Sequence, residues 1–266
     1  MSKTMDYEKK ICSLDIDSPF KILNAARRGP FPEIPLGLDE GRVLEVGCGA
    51  GYFLRRYVEK KPHLDFYAVD ISKKAIKLAK EKLPKVKFIN ADAHKLPYPG
   101  NYFDGVISKQ VLEHLERPER ALEESYRVLK RGGRLYLETP VEVDQIIIPP
   151  PRLTDKYQGH IQHFSKNNIL PMLKKAGFKV DNYYYSGFLY DQVLNYLCLI
   201  LYAKLNLPSE FSVEQYIYSV KARKKWTIST TGLFLLKNAV LILGNLEKMI
   251  VPKFIPGSNI HIMARK

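Results

Sequence analysis

The stretch that decides the fold is Glu45-Val46-Gly47-Cys48-Gly49-Ala50-Gly51. It follows a short apolar run, residues 42–46, that is typical of a buried strand, and it precedes residues 52–60, which are predicted to be helical. Glycines between a strand and a helix allow a tight turn and let a ligand approach the backbone closely. The pattern therefore predicts a ligand-binding turn at the carboxyl end of a first strand.

Strand-like and helix-like segments alternate on the C-terminal side of this turn. The further predicted strands are 65–70, 86–90, 103–108, 134–139, 178–185 and 259–265. The further predicted helices are 72–83, 118–130, which has Gly132-Gly133 past its end, and 165–176, with Ser165 as its N-cap and Gly177 at its end. Such alternation produces βαβ units and a parallel sheet. The predicted fold is a doubly wound, Rossmann-like α/β domain with a seven-stranded, mostly parallel sheet and helices on both faces.

The chain divides into four predicted regions. Residues 1–40 form an N-terminal helical or irregular segment, 41–187 the core, 188–257 a helical insert between the last two strands, and 258–266 the last strand. The insert is apolar over 189–207 and 232–250 and carries a basic cluster at 221–226. Its longest uncharged stretch, 192–203, is too short to span a bilayer.

The net charge of +14 favours an acidic partner or, equally, a generally lysine-rich surface. From Arg152 onward there are 16 Lys/Arg against 6 Asp/Glu, whereas residues 1–151 carry 26 against 22. The three cysteines, Cys12, Cys48 and Cys198, form no CxxC pair, which argues against a zinc site or a disulfide framework. Because residues 1–7 contain no apolar signal region, the chain is expected in the cytoplasm.

An acidic residue follows the glycine turn at the distance that a ribose-binding site requires. Asp70 ends the second predicted strand, about twenty residues after the turn, where a carboxylate accepts hydrogen bonds from both ribose hydroxyls. A dinucleotide site would have a third glycine at position 52, but Tyr52 stands there and the third glycine is Gly51. The GxGxG spacing suits a nucleoside ligand without a pyrophosphate and disfavours an NAD-dependent oxidoreductase.

Four motifs then resemble one enzyme family. They are VLEVGCGAGYFL at 43–54, AVDIS at 68–72, FINADAHKLPYPGNYFDGVISKQVLEHL at 88–115 and ALEESYRVLKRGGRLYLETP at 121–140. In this order they resemble class I S-adenosylmethionine (SAM) methyltransferases, and most closely the ubiquinone/menaquinone-type branch, whose domain is the methyltransferase domain 11 type. The resemblance covers roughly 40–140 and, more loosely, 160–185. It implies SAM as the cofactor and leaves the methyl acceptor open.

The resemblance also implies roles for individual residues. The turn would line the amino-acid end of SAM, Asp70 would hold the ribose, and the residues after the third and fourth strands would contact the adenine and the sulfonium side. The implied cofactor-binding residues are Glu45, Gly47, Cys48, Gly49, Gly51, Asp70, Ile71, Asp92, Ala93, Ser108, Lys109 and Gln110.

Two histidines are candidates for catalysis. His114 lies in the Leu112-Glu113-His114-Leu115 segment after the fourth strand, where it serves either as a general base or as a brace of the loop. His160 precedes the last predicted core helix in a segment that closes over the active site or packs a loop; in an extended segment it would share a face with Gln162, opposite Ile161 and His163. No metal site is predicted, because His160 and His163, the two histidines of this segment, have no acid or cysteine partner nearby in the sequence.

The predicted function is SAM-dependent methyl transfer, by in-line displacement, to a small hydrophobic or lipid-like acceptor. The insert is interpreted as a buried cap over the acceptor site, as an apolar tunnel, or as helices lying on an anionic membrane at the inner face. The alternatives are an RNA methyltransferase, suggested by the basic C-terminal part but unsupported by an NPPY-type motif, and a non-catalytic SAM-binding scaffold. The sequence leaves the oligomeric state open.

Overall fold

A computed structural model describes residues 36–141, 160–186 and 257–266 of the chain. Its strands are β1 Gly41–Val46, β2 Leu64–Asp70, β3 Lys87–Asn90, β4 Phe103–Lys109, β5 Leu129–Pro140, β6 Lys179–Ser186 and β7 Asn259–Arg265. Its helices are α1 Tyr52–Lys60, α2 Lys73–Lys82, α3 Pro118–Val128 and α4 Lys166–Lys175, with a 3-10 turn, Leu112–His114, after β4.

The strands form one sheet in the order β3-β2-β1-β4-β5-β7-β6. The first five strands in this order pair in parallel, and β7 is antiparallel to both of its neighbours, β5 and β6. The chain order reverses between β1 and β4, so the connections leave these two strands in opposite directions and open a crevice at their carboxyl ends. The predicted doubly wound, mostly parallel sheet is confirmed.

Helices cover both faces of the sheet, as predicted. On one face, residues of α1 and α2 such as Leu54 and Ile76 pack against the sheet residues Val43 and Phe66. On the other face, residues of α3 and α4 such as Leu122 pack against Leu44 and its neighbours. Because β1 and β2 are buried on both faces, they read as continuous apolar runs rather than as alternating strands.

Local sequence signals set three of the helix ends. The Ser72 hydroxyl caps α2 by accepting a hydrogen bond from Ala75 N at 3.1 Å. Ser165 begins α4 through a capping box with Asn168, and Gly177, at φ +102°, ends it. Both of these predicted helix ends are confirmed.

The predicted boundary between α3 and β5 is wrong. The helix was expected to reach residue 130 and the strand to begin at Arg134, but α3 ends at Val128 and β5 begins at Leu129. Leu129 is fully buried, has extended backbone and pairs with Phe103. Burial and strand pairing of this leucine outweigh the helical pattern of the sequence. The next paired residues are Gly105 and Arg134, so a register shift accommodates the extra residues of β5 between Leu129 and Arg134.

Several predictions lie outside the described residues. They are the segment at 1–35, the insert helices at 189–207 and 232–250, and the basic cluster at 221–226. No helix in the described ranges combines the length and the apolar character that crossing a membrane requires.

Candidate functional site

The glycine turn joins the carboxyl end of β1 to α1 and is held on the end of β2. Gly47 N and Cys48 N both donate to Val69 O, at 2.8 and 3.1 Å. Gly47 has φ +73°, and a Cβ on it would lie 2.4 Å from Cγ2 of Val111, so the chain needs glycine there. At Gly49, by contrast, an added Cβ would meet no atom within 4 Å, so the space over the centre of the turn is open to a ligand.

Asp70 is fixed at the end of β2 by the turn itself. Its carboxylate is 3% exposed and accepts from Gly49 N at 2.7 Å through Oδ2 and from Ser72 N at 2.9 Å through Oδ1. Burial raises the pKa of Asp70, and these backbone hydrogen bonds oppose that rise. Each carboxylate oxygen retains a second lone pair for a ligand hydroxyl.

The adenine end predicted from the sequence lies along the β2–β3 edge. Ile71 is 45% exposed immediately after β2, which leaves an apolar side chain at the surface. Asp92, two residues after β3, is exposed, and its Oδ1 accepts from His94 N at 2.9 Å and shares a hydrogen bond with His94 Nδ1 at 2.6 Å. Ala93 is half-buried between Asp92 and His94.

Asn90 contributes to this edge and was missed in the sequence. Its side-chain amide donates to Asp70 O at 2.9 Å and to Ile71 O at 2.8 Å. Asn90 is the last residue of β3 and pairs with Asp70 in the sheet. The sequence signal that could have identified Asn90 is its position: it is a polar residue at the carboxyl end of a predicted strand, next to the strand that ends in Asp70.

The end of β1 carries an enclosed carboxylate, that of Glu45, to which the resemblance assigns the amino-acid end of the cofactor. Glu45 is 2% exposed, and its Oε2 has no hydrogen-bond partner among the described residues. Burial raises the pKa of Glu45 well above its usual value, although nearby Lys109 acts in the opposite direction. Ser108, at the end of β4, also has a buried hydroxyl without a described partner. Both atoms are therefore suited to pairing with a polar ligand.

The side chains of Lys109, the last residue of β4, and of Gln110, which follows it, turn toward β5. Lys109 Nζ donates to Glu138 Oε2, and Gln110 Nε2 donates to Glu138 Oε1 at 3.4 Å and to Asn259 Oδ1 at 2.9 Å. Gln110 adopts φ +55°, which directs the chain from β4 into the next turn. These side chains brace the wall beside Glu45.

Cys48 is enclosed within the turn. Its Sγ donates to Gly49 O at 3.5 Å, and burial raises the pKa of the thiol well above its usual value. A thiol in this state is a poor nucleophile at neutral pH.

A Glu113–His114–His160 cluster lies at the carboxyl ends of β4 and β5. Glu113 is fully buried, accepts from Thr139 Oγ1 at 3.1 Å, and has Oε1 3.9 Å from His114 Nε2. The rings of His114 and His160 meet edge to face at 5.1 Å. Ile161 N donates to Glu113 O at 2.8 Å, which ties the loop before α4 to this cluster.

Burial, followed by the neighbouring His114 and His163, lowers the pKa of His160 to about 4. His160 is therefore a neutral imidazole at neutral pH, and its surroundings disfavour the protonated form. As expected for an extended segment, His160 and Gln162 are half-buried, whereas Ile161 and His163 are exposed.

The premise that His160 has no nearby acid holds along the sequence but is wrong in space, because Glu113 and His114 bring donor atoms within 4.8 Å of His160 and of each other. Ligands about 2.0–2.1 Å from a tetrahedral Zn²⁺ are roughly 3.3 Å apart. The three donor atoms, which spread over as much as 4.8 Å, are therefore wider apart than the ligands of a closed zinc site.

A buried polar network extends from this edge toward β6 and was also missed. Tyr136 donates to Glu138 Oε2 at 3.2 Å, and its oxygen lies 2.8 Å from His261 Nδ1. The other ring nitrogen of His261 is 2.6 Å from Ser186 Oγ, and the ring stacks on Tyr184 at 4.5 Å. The signal was a glutamate and a histidine inside otherwise apolar strands.

The chain is similar to known methyltransferases in both sequence and fold. Residues 44–137 match the family model described as a methyltransferase domain. The chain is 30% identical over 197 residues to a demethylmenaquinone methyltransferase of Thermotoga maritima, covering 74% of this chain and 78% of the relative.

Two further likenesses agree with this match. A ubiquinone/menaquinone biosynthesis C-methyltransferase of Vibrio cholerae is 27% identical over 176 residues, covering 54% of this chain and 66% of the relative. A solved SAM-dependent methyltransferase from Thermotoga maritima superposes with a TM-score of 0.55 at 19% identity, covering 93% of this chain and 92% of that one. The structural likeness concerns the fold alone.

Proposed function

Because the chain belongs to the class I SAM-dependent methyltransferases, in the ubiquinone/menaquinone branch, we propose that it methylates a small hydrophobic acceptor of the quinone type. The enzyme class and the cofactor follow from the family. The acceptor class is supported by the name of the 30%-identical relative and by the Glu113–His114–His160 cluster, which we place on the acceptor side of the site.

The described residues fit SAM, which supplies an activated methyl group on a sulfonium. We assign the amino-acid end to the turn, where Glu45 and Ser108 bring buried polar atoms without a described partner. The open space over Gly49 admits the ligand against the backbone, and Asp70 holds the ribose. The remaining adenine contacts are assigned to Ile71, Asp92 and Ala93. Lys109 and Gln110 act by bracing the adjacent wall.

The Glu113–His114–His160 cluster supports acid–base chemistry on the acceptor. A ring carbon of a quinol becomes nucleophilic when the neighbouring hydroxyl loses its proton, so a base near that hydroxyl accelerates carbon methylation. His160 is unprotonated at neutral pH and has a lone pair for this proton, although burial makes it a weaker base than an ordinary histidine. His114, between Glu113 and His160, is suited to orient it. The fold then aligns the acceptor with the methyl group and excludes water.

The insert at 188–257 is assigned to the acceptor side, as a helical cap. It leaves the sheet after β6 and returns at β7, and both of these strands border the network around His261. Its apolar composition suits a lipid-like acceptor, and such an acceptor would place the protein in the cytoplasm at the inner face of a membrane.

The observation that carries the proposal is the neutral, half-buried His160 beside a buried carboxylate at the sheet edge that also holds the cofactor turn. The test incubates the purified chain with SAM and a reduced, short-chain demethylated naphthoquinone in detergent. Mass spectrometry should detect a product one methyl group heavier, formed together with S-adenosylhomocysteine. His160→Gln should lower turnover about 100-fold while leaving SAM affinity unchanged.

His163→Gln is the matched control, because His163 is exposed three residues away and should tolerate the same change. If the enzyme methylates only soluble amines or RNA and leaves the quinol unchanged, the acceptor assignment is wrong. If the two histidine variants behave alike, the role of His160 is wrong.

A further inference from the structure

A dense cluster of positive charge lies on and after α2. The larger excess of basic residues, counted from Arg152 onward, is in the C-terminal part of the chain. Residues 73–87 contain seven lysines and one glutamate, whereas the chain as a whole has a net charge of +14. These lysines are exposed side chains of α2 and of the turn that leads to β3: Lys73, Lys74, Lys77, Lys80, Lys82, Lys85 and Lys87. Nearly half of the excess charge therefore lies in one twentieth of the chain, all of it on described surface.

Helical spacing gathers three of the lysines into a stripe. Lys73, Lys77 and Lys80 recur at intervals of four and three residues, while Ala75 and Ile76 face the core. We call Lys73, Lys77, Lys80 and the other four exposed lysines of residues 73–87 the α2 lysine face. Of the seven, only the amine of Lys87 bonds a described partner, donating to Tyr67 Oη at 3.0 Å. None of the others makes an ion pair within the described ranges.

Lys80 and Lys82 suit the negative end of the helix dipole in the last turn of α2, but the rest of the arrangement opposes helix stability. Lys77 lies three or four residues from Lys73, Lys74 and Lys80, and like charges at these spacings repel. The first turn of α2 contains no acidic residue and two lysines, which the positive end of the helix dipole disfavours. Stability of the isolated fold therefore does not account for this face, and an anionic ligand would.

We propose that the α2 lysine face binds the anionic surface of a membrane. Residues 73–87 contain no arginine and no aromatic residue, so they lack the planar groups that read and stack on bases. Flexible, strongly hydrated ammonium groups on an exposed helix face suit a layer of lipid phosphates. The choice of a membrane rests on the proposed function, since a quinone-type acceptor dissolves in the bilayer.

The position of the face connects it to the site. α2 begins three residues after Asp70, with Ser72 N bonded to the Asp70 carboxylate. Lys73 and Lys74 thus stand at the rim of the cofactor crevice, at the carboxyl edge of the sheet. Docking through this rim brings the crevice, with the acceptor side beyond it, close to the lipid that would carry the acceptor.

The test is sedimentation of the full chain with phosphatidylcholine vesicles, with and without phosphatidylglycerol. Wild type should bind only the anionic vesicles and should dissociate at high salt. The triple variant Lys73→Gln, Lys77→Gln and Lys80→Gln should bind them about 100-fold more weakly. Its melting temperature should equal or exceed that of wild type, because the substitutions remove repulsion, so weaker binding would not reflect misfolding.

The matched control is the triple variant Lys174→Gln, Lys175→Gln and Lys179→Gln, which removes the same charge from exposed positions on α4 and β6. It should retain nearly all of the vesicle binding. Equal weakening in both variants, unchanged binding in the α2 variant, or no binding of wild type to anionic vesicles would overturn the proposal. Binding of RNA in place of vesicles through the same lysines would do so too.

Turnover of a detergent-dispersed quinol distinguishes this inference from the proposed function. If the α2 variant methylates the quinol normally in detergent and loses activity only on vesicles, both stand. If the wild-type protein binds anionic vesicles but methylates no quinol, the proposed acceptor is wrong and the membrane-binding proposal is still supported.

Discussion

Glu45 offers the sharpest single perturbation of the site. Its carboxylate is enclosed at the end of β1 with an oxygen that no described residue contacts by a hydrogen bond. Burial raises its pKa well above the usual value of 4.5, Lys109 opposes the rise, and Asp70 adds to it. Without cofactor, the ionised form of Glu45 is therefore a destabilising element that the fold retains. We predict that Glu45→Gln stabilises the cofactor-free protein and weakens SAM binding.

The magnitudes follow from the burial. A buried polar group left unpaired costs about 1–3 kcal/mol, and more when it is charged, so the neutral amide should raise the free energy of unfolding by about 1–2 kcal/mol. A lost charge-assisted hydrogen bond to the cofactor is worth about 1.5–3 kcal/mol, which corresponds to roughly 10- to 100-fold weaker binding. The two effects have opposite signs, and a purely structural role for Glu45 would not produce both.

The pH dependence provides an independent check. A carboxyl whose folded pKa is raised contributes stability below its unfolded pKa and loses that contribution as the pH rises through the folded value. The stabilising effect of Glu45→Gln should thus be smallest near pH 4 and grow as the pH increases. Urea unfolding of the cofactor-free proteins across pH, together with calorimetric SAM titration, measures both quantities. A destabilised variant, or one with unchanged SAM affinity, would refute the reasoning.

Three further predictions concern the glycine turn, Asp70 and His160. Gly47→Ala would place a Cβ 2.4 Å from a valine methyl group and should lower the free energy of unfolding by about 1–3 kcal/mol. Gly49 also has a positive φ but has open space around it, so Gly49→Ala should lower the free energy of unfolding less. Urea unfolding of the two variants measures this difference. Asp70→Asn places a donor against one of two backbone N–H groups and should weaken SAM binding about 100-fold by calorimetry, while Asp65→Asn, an exposed change on the same strand, should leave it intact. Because the pKa of His160 is about 4, its contribution to kcat should be constant at neutral pH and should fall only as the pH drops through that value; a pH–rate profile with a limb near 6.5 that disappears in His160→Gln would contradict this assignment.

The sheet was predictable because its signals are local. The apolar runs of β1 and β2, the glycines between β1 and α1, and the cap at Ser72 each act over a few residues. The boundary between α3 and β5 was not predictable in this way. Whether Leu129 is helical or extended depends on its pairing with Phe103, a residue 26 positions earlier, and helical periodicity carries no information about that pairing.

The residues of the site likewise fall into those that local spacing predicts and those that depend on long-range contacts. The turn and Asp70 follow from spacing, since consecutive strands of a doubly wound sheet place their carboxyl ends together. The contact between Glu113 and the two histidines depends on how the loop before α4 folds back onto the 3-10 turn, which the sequence does not specify locally. His261 meets Glu138 only because β7 enters the sheet antiparallel to β5, and that register joins residues 123 positions apart.

Calorimetric titration of SAM into the purified chain tests the central claim most directly. The account predicts a single saturable site that S-adenosylhomocysteine also occupies and that Asp70→Asn weakens while Asp65→Asn does not. Absence of binding by the folded wild-type protein, or binding that is indifferent to Asp70, would contradict the assignment of the crevice at β1 and β2 as the cofactor site.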